Sequence, residues 1–267
     1  MKNKYRILVI FIMLILLGVL LFFSIKRFNN SPLKVISVDL LKTTPSVYFI
    51  DEKDIIDSVH KHNPKSKLGD IDIPDLERKI KSLPSIDSAN IYLNLNGDLH
   101  LDIKQRVPAF RLQYGKKDFY VDTKGIAFPT SKNYSLNCML VTGDINPKEY
   151  QKLIELVKKI NTDNFCKKFF IGIEKRNNNY YLLTSSVNYK VEFGDLDNID
   201  FKINGFKTFV EKYLINQPAD KYTQISIKYN NQIVATLNHK LPANDSILNA
   251  GRQELQKIIN NGNIKTN

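Results

Sequence analysis

From Ile7 to Ile25 the chain reads ILVIFIMLILLGVLLFFSI, without one charged side chain. A helix of that length covers about 28 Å, close to the roughly 30 Å of a bilayer's hydrocarbon core. A cleaved signal peptide shares the basic start and the apolar stretch. Against it, the run exceeds the usual apolar region of roughly 7–15 residues. No small-x-small cleavage site follows either, since Ser24-Ile25-Lys26 and Phe28-Asn29-Asn30 both fail that test. The expectation is an uncleaved anchor over 7–25. Lys2, Lys4, Arg6 and the free amine precede it, and Lys26 and Arg27 follow. The positive-inside rule then predicts a cytoplasmic tail of residues 1–6, with residues 28–267 outside. No second apolar run of comparable length follows, so the chain reads as single-pass.

The anchor also explains part of the charge. The formal net charge is +12, but five of the basic side chains are those flanking the apolar run. The remaining excess is spread along the chain, densest at Lys116-Lys117, Lys158-Lys159 and Lys167-Lys168. A nucleic-acid footprint is clustered on one element and interleaved with aromatics, so no nucleic-acid partner is expected.

Residues 26–34 read as a linker in which Pro32 stops the anchor helix. Val35 to Leu41 is apolar and β-branched, a strand candidate. Asp51 caps a helix through His62, with Ile55, Ile56 and Val59 at helical spacing. A second helix starts at Pro74 and runs to about Ser82, on the stripe Leu76 and Ile80. Residues 89–95 and 99–103 then alternate around Asn96-Gly97, a hairpin signature whose two turn residues are both expected at positive φ. Leu99, Leu101 and Ile103 share one face of the second strand, opposite His100, Asp102 and Lys104. Strand, helix, helix, strand, strand over 35–106 makes a complete small domain, one sheet covered by two helices.

From 107 to 240 short strands recur: 109–113, 118–121, 126–128, 139–141, 169–175, 180–184, 189–193, 224–229 and 233–237. Two helices interrupt them. Asn146, Pro147 and Glu149 form a capping box for one with Tyr150, Leu153, Ile154, Val157 and Ile160 inward. The other spans about 200–214, with Ile203, Phe206, Phe209, Val210 and Tyr213 inward. The fold class is α+β: an anchor helix, a β-α-α-β-β domain, then a mostly antiparallel β-domain with two helices. Residues 241–267 read as a loose polar tail with at most a short helix around 252–259.

The segments LNGDLHLDIKQRVPAFRL (95–112), FYVDTKGIAFP (119–129) and YTQISIKYNNQIVATL (222–237), in this order behind a single anchor, resemble the FtsQ/DivIB family of bacterial cell-division proteins. Gln105-Arg106-x-Pro108 and Asp122-x-x-Gly125 are similar to the form found in Bacteroidetes-type bacteria. The resemblance implies a single-pass protein of the cell inner membrane with a POTRA domain and a β-domain on the periplasmic side. It implies a non-enzymatic divisome scaffold that links septum assembly to septal peptidoglycan synthesis. Its partners would be FtsB-like and FtsL-like division proteins and other divisome components. The partner surface would lie near the end of the β-domain, where a partner segment adds a strand to the sheet edge. Carried onto this sequence, it comprises Ile227, Lys228, Tyr229, Gln232, Ile233, Val234, Ala235 and Thr236. The family often has Asp and Arg where this chain has Ser226 and Lys228.

Enzymatic signatures are missing. The chain has no G-x-S-x-G elbow, Walker loop or S-x-x-K. His60 and His62 are two apart and do not share a helix face. Asp70 and Asp72 lack calcium-loop spacing and read as a polar turn. No cofactor, metal or small-molecule substrate is expected. Cys138 and Cys166 either pair or stay as two buried thiols, and the second is favoured. Asp122 is expected to accept hydrogen bonds in a turn containing Gly125. Two other classes share some of these features. A POTRA-bearing envelope transport protein needs a barrel of strands of about 9–11 residues, longer than these. A membrane-tethered cell-wall hydrolase needs a nucleophile or zinc signature.

Overall fold

The computed structural model describes residues 2–64, 67–132, 134–185 and 187–262; residues 263–267 of the expected tail lie outside the described residues. The chain divides into two compact units, Met1–Val107 with Ser131–Leu136 and Pro108–Thr130 with Asn137–Asn267.

Helix α1 (Lys2–Asn30) opens the first unit. Over Lys4–Asn30 it is long and apolar enough to cross a membrane, and none of its apolar window is buried within the chain. It outruns the expected span at both ends, because nothing before Pro32 breaks a helix. Residues 26–30, read as linker, are helical. Its last turn closes through the Ser31 hydroxyl, which donates to the Arg27 carbonyl at 2.9 Å. Strand β1 (Ile36–Leu40), helices α2 (Glu52–His62) and α3 (Ile73–Lys81), and strands β2 (Ile86–Leu93) and β3 (Leu99–Gln105) follow. The sheet order is β1-β3-β2, with β1 parallel and β2 antiparallel to β3. Leu99, Leu101 and Ile103 are fully buried under Ile55, Val59, Leu76 and Ile80 of the two helices. Asp51 caps α2 by accepting from the Asp54 amide. Asp72, read as part of a polar turn, likewise caps α3 through the Asp75 amide.

The hairpin turn differs from expectation. It closes over Asn94–Asp98, with the Gly97 amide on the Asn94 carbonyl at 3.0 Å and the Asn94 amide on the Asp98 carbonyl at 2.9 Å. Only Gly97 takes a positive φ, +92°. The longer loop needs one left-handed residue where a two-residue turn needs two. Gln105, 3% exposed, holds the segment at 49–50: its Oε1 accepts from the Phe49 and Ile50 amides, and its Nε2 donates to the Ile50 carbonyl. In the short segment 131–136 the Tyr134 hydroxyl donates to the Ser46 carbonyl, and its ring meets Phe49 edge-on.

The second unit carries a nine-stranded sheet. Its strands are β4 (Pro108–Tyr114), β5 (Lys117–Asp122), β6 (Ala127–Pro129), β7 (Met139–Thr142), β8 (Phe170–Arg176), β9 (Asn179–Thr184), β10 (Lys190–Gly194), β11 (Tyr222–Tyr229) and β12 (Gln232–Leu237). Their order is β12-β11-β10-β9-β8-β7-β4-β5-β6. The sheet is mostly antiparallel, as expected, with β4-β7, β7-β8 and β10-β11 as its parallel pairs. Parallel neighbours need crossovers. Helices α4 (Tyr150–Thr162) and α5 (Asn164–Phe169) lie in the crossover from β7 to β8 and α6 (Ile199–Lys212) in that from β10 to β11, while β4 reaches β7 by way of β5 and β6. The capping box at Asn146 and Glu149 forms as expected, on a 3-10 turn running into α4. On α4 Leu156 is fully buried along with the expected Leu153 and Ile160, while Ile154 is half-buried, and Tyr213 past α6 is 42% exposed. Asp122 accepts from the Lys124 and Ile126 amides, both at 2.9 Å, in a turn where Gly125 has φ +80°.

Both cysteines are free, Cys166 buried and Cys138 half-buried, and burial pushes their thiols up to about 12 and about 11. The stretch expected as a loose tail is helical as well: α7 spans Asp245–Gly262. Its base is fixed by buried Asn244, whose amide donates to the Lys221 and Asn238 carbonyls.

Candidate partner-binding edge

The nine-stranded sheet ends on β6 at one side and β12 at the other. The two edges differ in chemistry. Strand β6 is three residues long and finishes on Pro129. A short strand closed by proline offers little to a pairing chain. Strand β12, QIVATL, has six residues, no charge and no proline. Its exposed and half-buried residues alternate along its length. Ile233, Ala235 and Leu237 rest on the core cluster, while Gln232, Val234 and Thr236 are exposed.

The backbone of β12 is oriented by its far end. The Asn238 amide donates to the Lys221 carbonyl at 2.9 Å, and the Thr236 carbonyl accepts from the Thr223 hydroxyl. Both contacts point toward β11. Successive residues of a strand turn their N–H and C=O groups to opposite sides. The groups of Thr236 and Val234 therefore face β11, and those of Ile233, Ala235 and Leu237 face the open edge. Bulges at Tyr222/Gln224 and Ser226/Tyr229 mark this pairing.

At the turn, Asn231 takes φ +58°. Tyr229 stands 46% exposed beside it. Its ring is held from one side by Lys228, whose ammonium lies 5.0 Å from the ring centroid. The same ammonium donates to Glu192 Oε1 at 2.9 Å. Glu192 is 5% exposed and also accepts from the Gln224 amide at 3.0 Å. The hydrogen bond to Glu192 and the contact with Tyr229 both hold the Lys228 ammonium above its usual range. Gly194 has φ +78°, and a Cβ there would lie 2.5 Å from Lys228 Cβ, so only glycine lets the two strands close over this contact.

Seven of the eight residues carried over from the resemblance lie on or beside the open edge, all with some exposure. Ile227 does not, being 3% exposed and part of the core. Its side chain points inward on the face shared with Ile225. Sequence reasoning missed three neighbours. Glu192 is the anchor for Lys228. Phe201 and Gly205 on α6 face the hairpin across a groove of about 210 Å³ whose other wall is Tyr229, Gln232 and Ile233. Phe201, 52% exposed, is an apolar residue that falls off the inward stripe of its helix, and that misfit was the available signal. Glu192 carried none, since its partners come from 32 and 36 positions away.

Residues 107–236 match the family described as FtsQ/DivIB, C-terminal related. The curated "Cell division protein DivIB" of Clostridium tetani is 26% identical over 174 residues, which cover 60% of this chain. The aligned part spans 65% of that protein's length, just under two thirds.

Proposed function

We propose that this chain, which belongs to the FtsQ/DivIB family, is a membrane-anchored, non-enzymatic scaffold of the cell-division machinery. In this reading α1 spans the cell inner membrane with its start in the cytoplasm, and both units lie on the periplasmic side. The first unit serves as a POTRA domain, consistent with its β-α-α-β-β order. The second unit receives FtsB-like and FtsL-like partners by strand addition at β12.

The observation that carries the reading is the β12 edge itself. It is the longer of the two edges of its sheet, it lacks the proline of the other, and an exposed tyrosine anchor stands at its start. Backbone groups of an added strand supply affinity, and pockets for its alternate side chains supply specificity. The departure at Ser226 and Lys228 fits this division of roles. Ser226 is 5% exposed, and Lys228 is engaged by Glu192 within the sheet. Neither is needed as a charged hook for a partner.

The test is capture of candidate division proteins by the full chain carrying Tyr229→Ala or Ala235→Pro. Removing an aromatic anchor from an interface centre commonly costs about 2 kcal/mol or more, roughly thirtyfold in affinity. Retained capture by both variants, with unchanged melting, would remove the edge from the interface.

A further inference from the structure

A second concave region lies elsewhere in the nine-stranded sheet, at the carboxyl ends of its parallel strands. Strands β4, β7 and β8 run side by side in one direction. The chain leaves β4 toward β5 on one side and leaves β7 through α4 and α5 toward β8 on the other. Where neighbouring parallel strands send their connections in opposite directions, a crevice opens beyond their carboxyl ends, and such crevices are where ligands settle in parallel sheets. Here the crevice measures about 790 Å³. That lies within the roughly 300–1,000 Å³ of small-molecule sites.

The lining has a floor and two walls. Tyr114 and Phe119, from the β4–β5 hairpin, continue the apolar floor outward from buried Leu112 and Tyr150. The register pairs Leu112 with Phe119 and Tyr114 with Lys117, so these side chains share one face. The walls are the loop after β7, through Asn146, and the β8–β9 turn, with Asn177 and Asn178. Gly143 lets the walls approach. It has φ +112°, and a Cβ there would stand 2.3 Å from the Lys175 carbonyl oxygen.

Charge narrows the occupant. The start of the helix that lines the crevice is already served: Glu149 accepts from the Asn146 amide at 2.9 Å and from Lys175 at 2.7 Å. That carboxylate neutralises both the helix terminus and the lysine, which disfavours an anionic ligand. The remaining charged side chains of the lining, Lys117 and Asp144, are opposite in sign and form no ion pair among the described residues. A neutral ligand is left. Strands β4, β7 and β8 are each paired on both sides, so they offer no open ladder to an extended peptide. Amide side chains both donate and accept, as hydroxyl groups do. Aromatic rings offer flat apolar surface.

We propose that this crevice binds a neutral saccharide, with its ring faces on Tyr114 and Phe119 and its hydroxyl groups on Asn146, Asn177 and Asn178. The inference is independent of the partner edge at β12.

The experiment uses the full chain in detergent micelles and saturation-transfer NMR with chitotetraose, cellotetraose and maltotetraose as probes. Tetra-alanine and inorganic phosphate serve as comparison ligands. Saturation should pass to the ring protons of at least one tetrasaccharide at millimolar concentration. Tyr114→Ala and Asn178→Ala should each weaken it about tenfold, the loss of one good contact. Tyr114 is 48% exposed, so its truncation should leave melting unchanged. Ala235→Pro at the other edge should leave saccharide binding intact. Any of four results would overturn the proposal: no transfer to any tetrasaccharide, transfer that survives both crevice substitutions, equal transfer to tetra-alanine, or competition by phosphate.

Discussion

Two carboxylates of the second unit, Glu192 and Asp163, each accept from more than one partner, and each makes a prediction. Glu192 is buried and fixes Lys228, which in turn backs the Tyr229 ring. A preorganised anchor binds with less ordering cost than a free one. Glu192→Ala should weaken partner capture by less than Tyr229→Ala does, and the double variant should lose little beyond Tyr229→Ala alone. Full additivity in that cycle would mean that Glu192 does not act through the ring. Asp163 caps α5, with Oδ1 accepting from the Phe165 and Cys166 amides and Oδ2 from Lys207, each at 2.9 Å. The Cys166 amide foremost, with Lys207, holds its carboxyl at about 2, below the usual 3.8. A depressed carboxyl pKa contributes stability above the unfolded value that is lost as pH falls through the folded one. Asp163→Ala should lower stability by about 1 kcal/mol at neutral pH. The gap to the parent should close as pH falls from about 4 to 2 in thermal melts.

At the scale of elements, the two sides of the one edge strand β12 allow a sharper test than any single side chain. Val234 turns its N–H toward β11 and Ala235 turns its own outward, as the contacts at Asn238 and Thr236 require. Val234→Pro should therefore break a ladder bond and lower the melting temperature. Ala235→Pro should leave melting nearly unchanged and remove a donor that an incoming strand needs. If Ala235→Pro destabilises the protein and Val234→Pro does not, the strand is oriented the other way. Most strands were legible because a half-buried strand writes its period into the sequence, as at Leu99, Leu101 and Ile103. What was illegible follows from tertiary context. Phe165, Cys166 and Phe169 stand at helical spacing behind the Asp163 cap, but six residues are too few for the period to separate a helix from the strand that follows, so α5 was not legible. Helix α7 begins at Asp245, ahead of the short helix expected around 252–259; Ile247 and Leu248 follow without a breaker before Gly251, yet the many Asn and Gln residues hid its extent. Strand direction was hidden as well, because alternation does not distinguish parallel from antiparallel neighbours.

The whole molecule is two units, the first opened by an apolar helix, with separate hydrophobic clusters, one around Leu101 and one around Ile173. The first cluster is closed by residues 33–93 and 99–103, all before Pro108. Residues 131–136 nevertheless belong to the first unit, through Tyr134 on Ser46 and Phe49. A fragment of residues 33–107 should therefore fold, with the circular dichroism of a mixed helix–sheet protein, yet melt lower than the same unit in the full chain. Tyr134→Ala in the full chain should lower the stability of the first unit by about 1 kcal/mol, the range of one aromatic contact and one hydrogen bond. Hydrogen exchange reads the units separately: Tyr134→Ala should speed exchange at β2 and β3 and spare β8 and β9. Equal acceleration in both sheets would show that the two clusters unfold as one, and a fragment that is only coil would show that the first cannot form without the returning segment.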